Sequence, residues 1–252
     1  MSEIQLQGAG AVAYVTIENA GKLNAMTRAM WRQLRAVFEK VQHGNWRCVV
    51  VRGEGGHFCA GGDIAEYPAF RFAEESLRAF HEQDVWGGLH AMLACDVPIV
   101  AAIEGNCMGA GVEMACCCDI RLADEGARFG APIAKLGFPM APREMQLVQR
   151  AAGDAAVREM LLTAAVLPAA RLHALGFVQR LLPAGEVPAS AQELAQRIAR
   201  LAPQAARLNK RTLREVGAAA MALDASDAYA WAASAEHLEG IQAFLQKRTP
   251  QF

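Results

Sequence analysis

Two stretches of this sequence could hold an oxygen anion, and one of them carries an acid. Residues 49–51 are three valines that run into a glycine loop ending Phe58-Cys59-Ala60-Gly61-Gly62-Asp63. The apolar residues 99–103 run into a second loop ending Gly109-Ala110-Gly111, with Glu113 just after. Each stretch delivers small residues from a strand to the start of a helix, where a ligand can come close to backbone N–H groups. Two such groups facing one point form an oxyanion hole. Small residues also serve tight strand–helix packing. The repetition of the plan, with a carboxylate beside the second copy, favours chemistry over packing.

The elements that must position these loops follow from periodicity. Residues 11–17 read as a strand, and a helix is predicted over 27–42, with Met30, Leu34, Val37, Phe38 and Val41 on one face. Residues 48–51 and 98–105 are short buried strands, and a helix begins at 109–111. Residues 64–95 read as uneven helix, with Phe, Tyr and Trp scattered through. Short strands are predicted over 119–123, 128–129 and 177–182. Residues 130–142 are rich in Gly and Pro, and helices are expected over about 186–201, 204–217 and 224–246. Alternating strands and helices followed by a run of helices imply an α/β core with a helical C-terminal lobe. We divide the chain at residues 1–185 and 186–252.

Composition excludes several classes. The chain has 252 residues, 53% of them hydrophobic, with 25 Lys plus Arg against 26 Asp plus Glu. It is too apolar to be disordered and has no basic field to collect nucleic acid. It offers neither a signal-peptide core nor a membrane-length apolar run. The seven cysteines, three of them adjacent at 116–118, suit free thiols in a cytoplasmic protein better than a disulfide framework. Neither nucleotide-binding glycine fingerprint is present. The five serines include no nucleophile elbow, and no C-x-x-C or H-x-x-x-H spacing supports a metal site. His57, in the first glycine loop, reads as a solvated loop histidine.

The residues then carry a resemblance to the enoyl-CoA hydratase/isomerase family, the crotonase superfamily. The matching stretches are Lys22-Leu23-Asn24-Ala25-Met26, Phe58 to Ile64, Pro98 to Asp119, and Phe129-Gly130 to Leu136-Gly137, with Gly240 to Arg248 at the close. The resemblance covers essentially the whole chain. It implies a spiral of ββα units, a helical tail that builds homotrimers or homohexamers, and an acyl-CoA thioester substrate. Coenzyme A is then part of the substrate, and no separate cofactor or metal is implied. The thioester oxygen would lie between the backbone N–H groups of Ala60 and Ala110, with Glu113 as the acid–base residue. Lys22, Leu23, Ala25, Gly62, Asp63 and Ile64 would line the coenzyme, and Pro132, Ile133 and Gly137 are further residues expected to bind the substrate or its coenzyme. Chemistry at Cα or Cβ of a thioester passes through an enolate, which such donors stabilise by several kcal/mol.

One departure stands out. The hydratases of this family carry a second glutamate after the Pro of a Phe-Gly-x-Pro-Glu stretch; here the stretch reads Phe129-Gly130-Ala131-Pro132-Ile133. Ile133 can neither orient nor deprotonate water. The reading is an acyl-CoA-transforming enzyme that is poor at hydration; double-bond isomerisation and malonyl-type decarboxylation are the alternatives within the family, and non-catalytic acyl-CoA binding is the alternative outside it. Glu144, eleven residues on, is a possible catalytic residue or only a helix-start residue, and Arg143 could pair with it or with a substrate carboxylate. Residues 186–246 carry Leu223, Tyr229, Trp231, Leu238 and Ile241, apolar positions expected to be buried between subunits.

Overall fold

The apolar strands 48–53 and 99–103 are buried on both faces, which demands a layer on each side of their sheet. A computed structural model, describing residues 2–218 and 230–251, provides both layers. Strands β1 (Ser2–Ala9), β2 (Val12–Asn19), β3 (Cys48–Gly53), β4 (Ile99–Ile103), β6 (Ile120–Asp124) and β9 (Arg180–Leu182) form one sheet in the order β1-β2-β3-β4-β6-β9. Within this sheet only the β1–β2 pair is antiparallel. A small second sheet joins β5 (Asn106–Met108), β7 (Arg128–Gly130) and β8 (Val166–Pro168).

Alternate residues of the central strands enter two separate cores. Val49, Val51, Ile99, Ala101 and Ile103 meet Met30, Trp31, Leu34 and Phe38 of helix α1 (Arg28–His43). Cys48, Val50, Val100 and Ala102 meet Val187, Ala191 and Leu194 of α8 (Val187–Ala199). The start of α1 is fixed by Thr27, whose hydroxyl accepts from the Met30 N–H at 3.2 Å. The remaining helices are α2 (Glu74–Ala79), α3 (Trp86–Ala94), α4 (Ala110–Cys116), α5 (Pro142–Ala152), α6 (Asp154–Leu162), α7 (Ala169–Ala174), α9 (Pro203–Ala218) and α10 (Ala235–Leu245).

Several sequence expectations are corrected. Residues 2–9, assigned no element, form β1; it is an edge strand whose only buried side chain is Ile4, so it lacks an apolar run. The short strands β5 and β8 were also missed, being only three residues each. The helix expected over 224–246 is interrupted: a 3₁₀ turn (Ala230–Ala233) is followed by Ser234, whose hydroxyl accepts from the His237 N–H and caps a separate α10. Of the apolar tail positions, Ile241 is buried within its own chain and Leu238 is exposed. Leu223 and Tyr229 lie outside the described residues. All seven cysteines are free and buried, and burial pushes the Cys59 thiol up to about 12. Among the described residues no helix is long and apolar enough to cross a membrane.

Candidate active site

The two loops read from the sequence are laced together. Cys59 N–H donates to Asn106 O at 2.9 Å, Met108 N–H to Cys59 O at 2.8 Å, and Phe58 N–H to Glu104 O at 2.8 Å. The contact is close enough to require glycine at 111, where an added Cβ would lie 2.8 Å from Cys59 O. The lacing sets Gly61-Gly62 alongside Met108-Gly109-Ala110 in the wall of a cavity of about 300 Å³. Ile64, Tyr67, Phe80, Val85, Pro132, Ile133, Phe138 and Met140 supply apolar wall. Glu113, in the first turn of α4, opens onto the same space.

The structure corrects the expected oxyanion donors. The Ala60 N–H donates to Leu23 O at 2.9 Å, which holds the Lys22–Met26 turn against the loop. Ala60 therefore lines the cavity without an N–H to offer. Gly62, two residues on, also lines it, and its N–H donates to no backbone carbonyl among the described residues. The first turn of α4 leaves the Ala110 N–H without an intrahelical acceptor. Gly62 and Ala110 are thus the donor pair the fold offers.

Other expected residues divide. Ile64, Pro132 and Ile133 line the cavity. Lys22, expected near a coenzyme phosphate, is bound to Asp63 at 2.6 Å. Asp63 is buried and also caps the 3₁₀ turn Ile64–Ala69. Leu23 is exposed and Ala25 is buried; neither lines the cavity. Gly137 ends the 3₁₀ turn Ile133–Leu136 in the left-handed region rather than facing the cavity. His57 is half-buried and accepts the Asn106 N–H at 3.2 Å, a structural role in the lacing rather than a solvated one.

The opposite wall holds what the sequence reading left open or missed. Glu144 is 2% exposed, in the first turn of α5, and lines the cavity with Glu113. It is a helix-start residue as well, since its carboxylate takes the Ala141 N–H. His81 Nδ1 lies 3.0 and 3.1 Å from the two Glu144 oxygens. Burial, helped by the Arg71 charge, holds the His81 pKa well below its usual value. The imidazole is therefore neutral; in its Nδ1–H tautomer it donates to a Glu144 oxygen, a bond that strengthens when Glu144 ionises. Arg143 does not pair with Glu144; it reaches Glu82 at 2.9 Å.

Arg71 is 1% exposed and lines the cavity. Its guanidinium lies 4.4 Å from the Tyr67 ring centre and 4.0 Å from that of Phe138. Its Nε–H donates to His237 Nε2 at 3.3 Å, and His237 Nδ1–H donates to Ala232 O at 2.8 Å. Neither Arg71 nor His81 belongs to a motif. The available signal was an ionisable side chain inside an aromatic run, since Tyr67, Phe70, Phe72 and Phe80 surround them in sequence.

The electrostatics follow from this enclosure. Burial raises the Glu113 pKa well above the carboxylate range, with the Glu144 charge adding to the rise and Arg71 opposing it. Burial also pushes Glu144 up to about 8, against the pull of Arg71. Two carboxyl groups that resist ionising together share protons, so one can act as acid while the other acts as base.

The chain matches known proteins along its length. A family model described as enoyl-CoA hydratase/isomerase matches residues 7–252. The chain is 32% identical to 2,3-dehydroadipyl-CoA hydratase of Escherichia coli, over 100% of this chain and 99% of that protein. An enoyl-CoA hydratase/carnithine racemase from Magnetospirillum magneticum superposes with a TM-score of 0.84 at 35% identity, covering 100% of this chain and 96% of that one. A methylmalonyl-CoA decarboxylase in complex with 2-nitronate-propionyl-CoA superposes with a TM-score of 0.86 at 25% identity, covering 99% and 97%. With its cavity, its paired loops and its α/β fold, the chain belongs to the enoyl-CoA hydratase/isomerase family of enzymes.

Proposed function

We propose that this enzyme adds water reversibly across the double bond of a 2-enoyl-CoA thioester, with Glu144 in the work that Ile133 cannot do. The observation that carries the reading is the pair of buried carboxyl groups, Glu113 and Glu144, in one cavity beside the Gly62 and Ala110 N–H groups. The thioester oxygen would accept from those two donors. The charge that gathers there in the enolate is then stabilised where it develops, and loss of one such donor costs about 3–4 kcal/mol. Hydration needs a base for water at Cβ and an acid for Cα, and two carboxyl groups divide that work. Glu144 is the better base of the two because His81 donates to its ionised form. Glu113, held more firmly protonated, is the acid.

A second reading is isomerisation, in which one carboxyl group moves a proton between two carbons. The apolar wall at Ile133 favours it by excluding water. Decarboxylation of a malonyl-type thioester would use the same enolate site. The three are separated by incubating the protein in deuterated water with 2-enoyl, 3-enoyl and malonyl-type thioesters and identifying products by mass spectrometry. Hydration yields a 3-hydroxyacyl product, and Glu144→Gln abolishes it. A shifted double bond with no hydroxyl, unaffected by Glu144→Gln, would replace this reading with the second.

The enzyme is also proposed to assemble as a trimer or hexamer. The exposed Leu208 and Leu213 of α9 support this, as does Leu201 just before it. Sedimentation at micromolar concentration should give a trimer or larger, and a monomer alone would reject assembly.

A further inference from the structure

We infer that the Tyr67 hydroxyl is a third hydrogen-bond donor to the thioester oxygen, beside the Gly62 and Ala110 N–H groups. The inference rests on the enolate site of the reading above and adds a residue to it. The observation that carries it is the place of the hydroxyl. A Cβ added at Gly62 would lie 2.2 Å from the Tyr67 hydroxyl oxygen and 3.2 Å from the ring carbon that bears it. Gly62 is not among the glycines with a positive φ. Its backbone would accept an alanine, so glycine is required there by the room the hydroxyl takes. The hydroxyl is thus seated against the residue that supplies one donor, and Tyr67 itself lines the cavity.

The surroundings fix the hydroxyl and leave its proton to give. Tyr67 stands in the 3₁₀ turn Ile64–Ala69, which the buried Asp63 caps. Its ring meets those of Phe70, Phe80 and Phe138 edge-on, with centres 5.9, 6.5 and 6.1 Å away. Tyr67 is 8% exposed, and its hydroxyl makes no hydrogen bond among the described residues. A buried hydroxyl ordinarily has a partner, and a thioester oxygen held by Gly62 and Ala110 would be one. Burial raises the Tyr67 pKa above its ordinary value, against the pull of the Arg71 charge, so the O–H stays intact at neutral pH. No proton is transferred. The donated bond strengthens as negative charge gathers on the oxygen, so its contribution grows toward the enolate. The competing role for Tyr67 is to fill the apolar wall, which a phenylalanine would serve as well.

The test pairs kinetics with infrared spectroscopy of a bound thioester. Tyr67→Phe, which removes one oxygen and little else, should lower kcat by about 100-fold and leave KM nearly unchanged. The spectroscopic probe is a saturated, unreactive acyl-CoA labelled with carbon-13 at the thioester carbonyl. Hydrogen bonds to that oxygen lower its stretching frequency, so the bound probe should absorb at lower frequency in wild type than in Tyr67→Phe. Replacing Tyr67 with 3-fluorotyrosine keeps the shape and makes the hydroxyl a stronger donor, and the frequency should fall below that of wild type. This arm stands even if Tyr67→Phe does not fold. A carbonyl frequency that neither replacement moves would overturn the inference, as would a kcat in Tyr67→Phe within twofold of wild type. Wild-type hydration with an unmoved carbonyl would remove this inference and leave the hydration reading standing. A carbonyl that follows the hydroxyl, in a protein that yields no 3-hydroxyacyl product, would do the reverse.

Discussion

The cavity has two walls of different origin. One is made by the ends of β3 and β5 and the start of α4, and it presents Gly62, Ala110 and Glu113. It is held by backbone bonds between loops, so its residues must be small and its spacing strict. The other is made by the segment from Tyr67 to Val85, the turn before α5 and the cap of α10. It is held by side chains: His81 on Glu144, Arg71 between two rings, His237 on Arg71. A backbone-built wall presents fixed donors for a thioester. A side-chain-built wall can change its charged groups without disturbing the fold.

The expected effects rank along this contrast. Glu113→Gln should have the largest, a loss of turnover on the order of 10³-fold in kcat, as expected for removing the proposed acid. Steady-state kinetics of enoyl-CoA hydration would measure it, and a loss under tenfold would move the acid elsewhere. His81→Gln should cost about tenfold and change the pH profile, because His81 touches Glu144 and acts through it. With His81 in place, kcat/KM should rise with pH toward about 8 as the glutamate pair first loses a proton. Without the donated bond, that rise should move to higher pH. A loss of rate with an unchanged profile would make His81 merely structural.

Stability should follow the same groups. Glu144 titrates at about 8 in the folded chain against 4.5 ordinarily, so the folded state holds the extra proton between those values. Unfolding therefore becomes easier as pH rises through that window, and Tm should fall across it. Glu144→Gln should flatten the slope, as thermal melts in a pH series would record. The smallest effect concerns α10, where Gly240 packs on the turn after Ile133. An added Cβ there would lie 2.1 Å from the Leu136 carbonyl carbon. Gly240→Ala should destabilise by about 1–3 kcal/mol, measured by denaturant unfolding.

What could be read in the sequence divides along the same line. The strands of residues 48–51 and 99–103, the amphipathic α1, and the place of Glu113 at a helix start follow from local patterns, and the structure has them. Even there the donor was displaced by two residues. The choice between Ala60 and Gly62 depends on Leu23 O, a partner some forty residues away in the chain that periodicity does not reveal. On the side-chain wall almost nothing was legible. Glu144 reads as a helix-start residue because it is one. Its second identity depends on His81, sixty-three residues earlier, and on burial that only the packed fold creates. Ile133 looked like a lost function because the missing carboxyl was sought at one position; another carboxyl, Glu144, lines the cavity from the next helix.

The central claim is that Glu144 supplies the second carboxyl group. The most direct measurement is kcat/KM for 2-enoyl-CoA hydration in wild type, Glu144→Gln and the double variant Glu144→Gln/Ile133→Glu. Wild type should hydrate at an enzyme-like rate, Glu144→Gln should lose on the order of 100-fold or more, and the double variant should regain part of the loss. Equal rates in wild type and Glu144→Gln would contradict the claim and return Glu144 to the role of a helix cap.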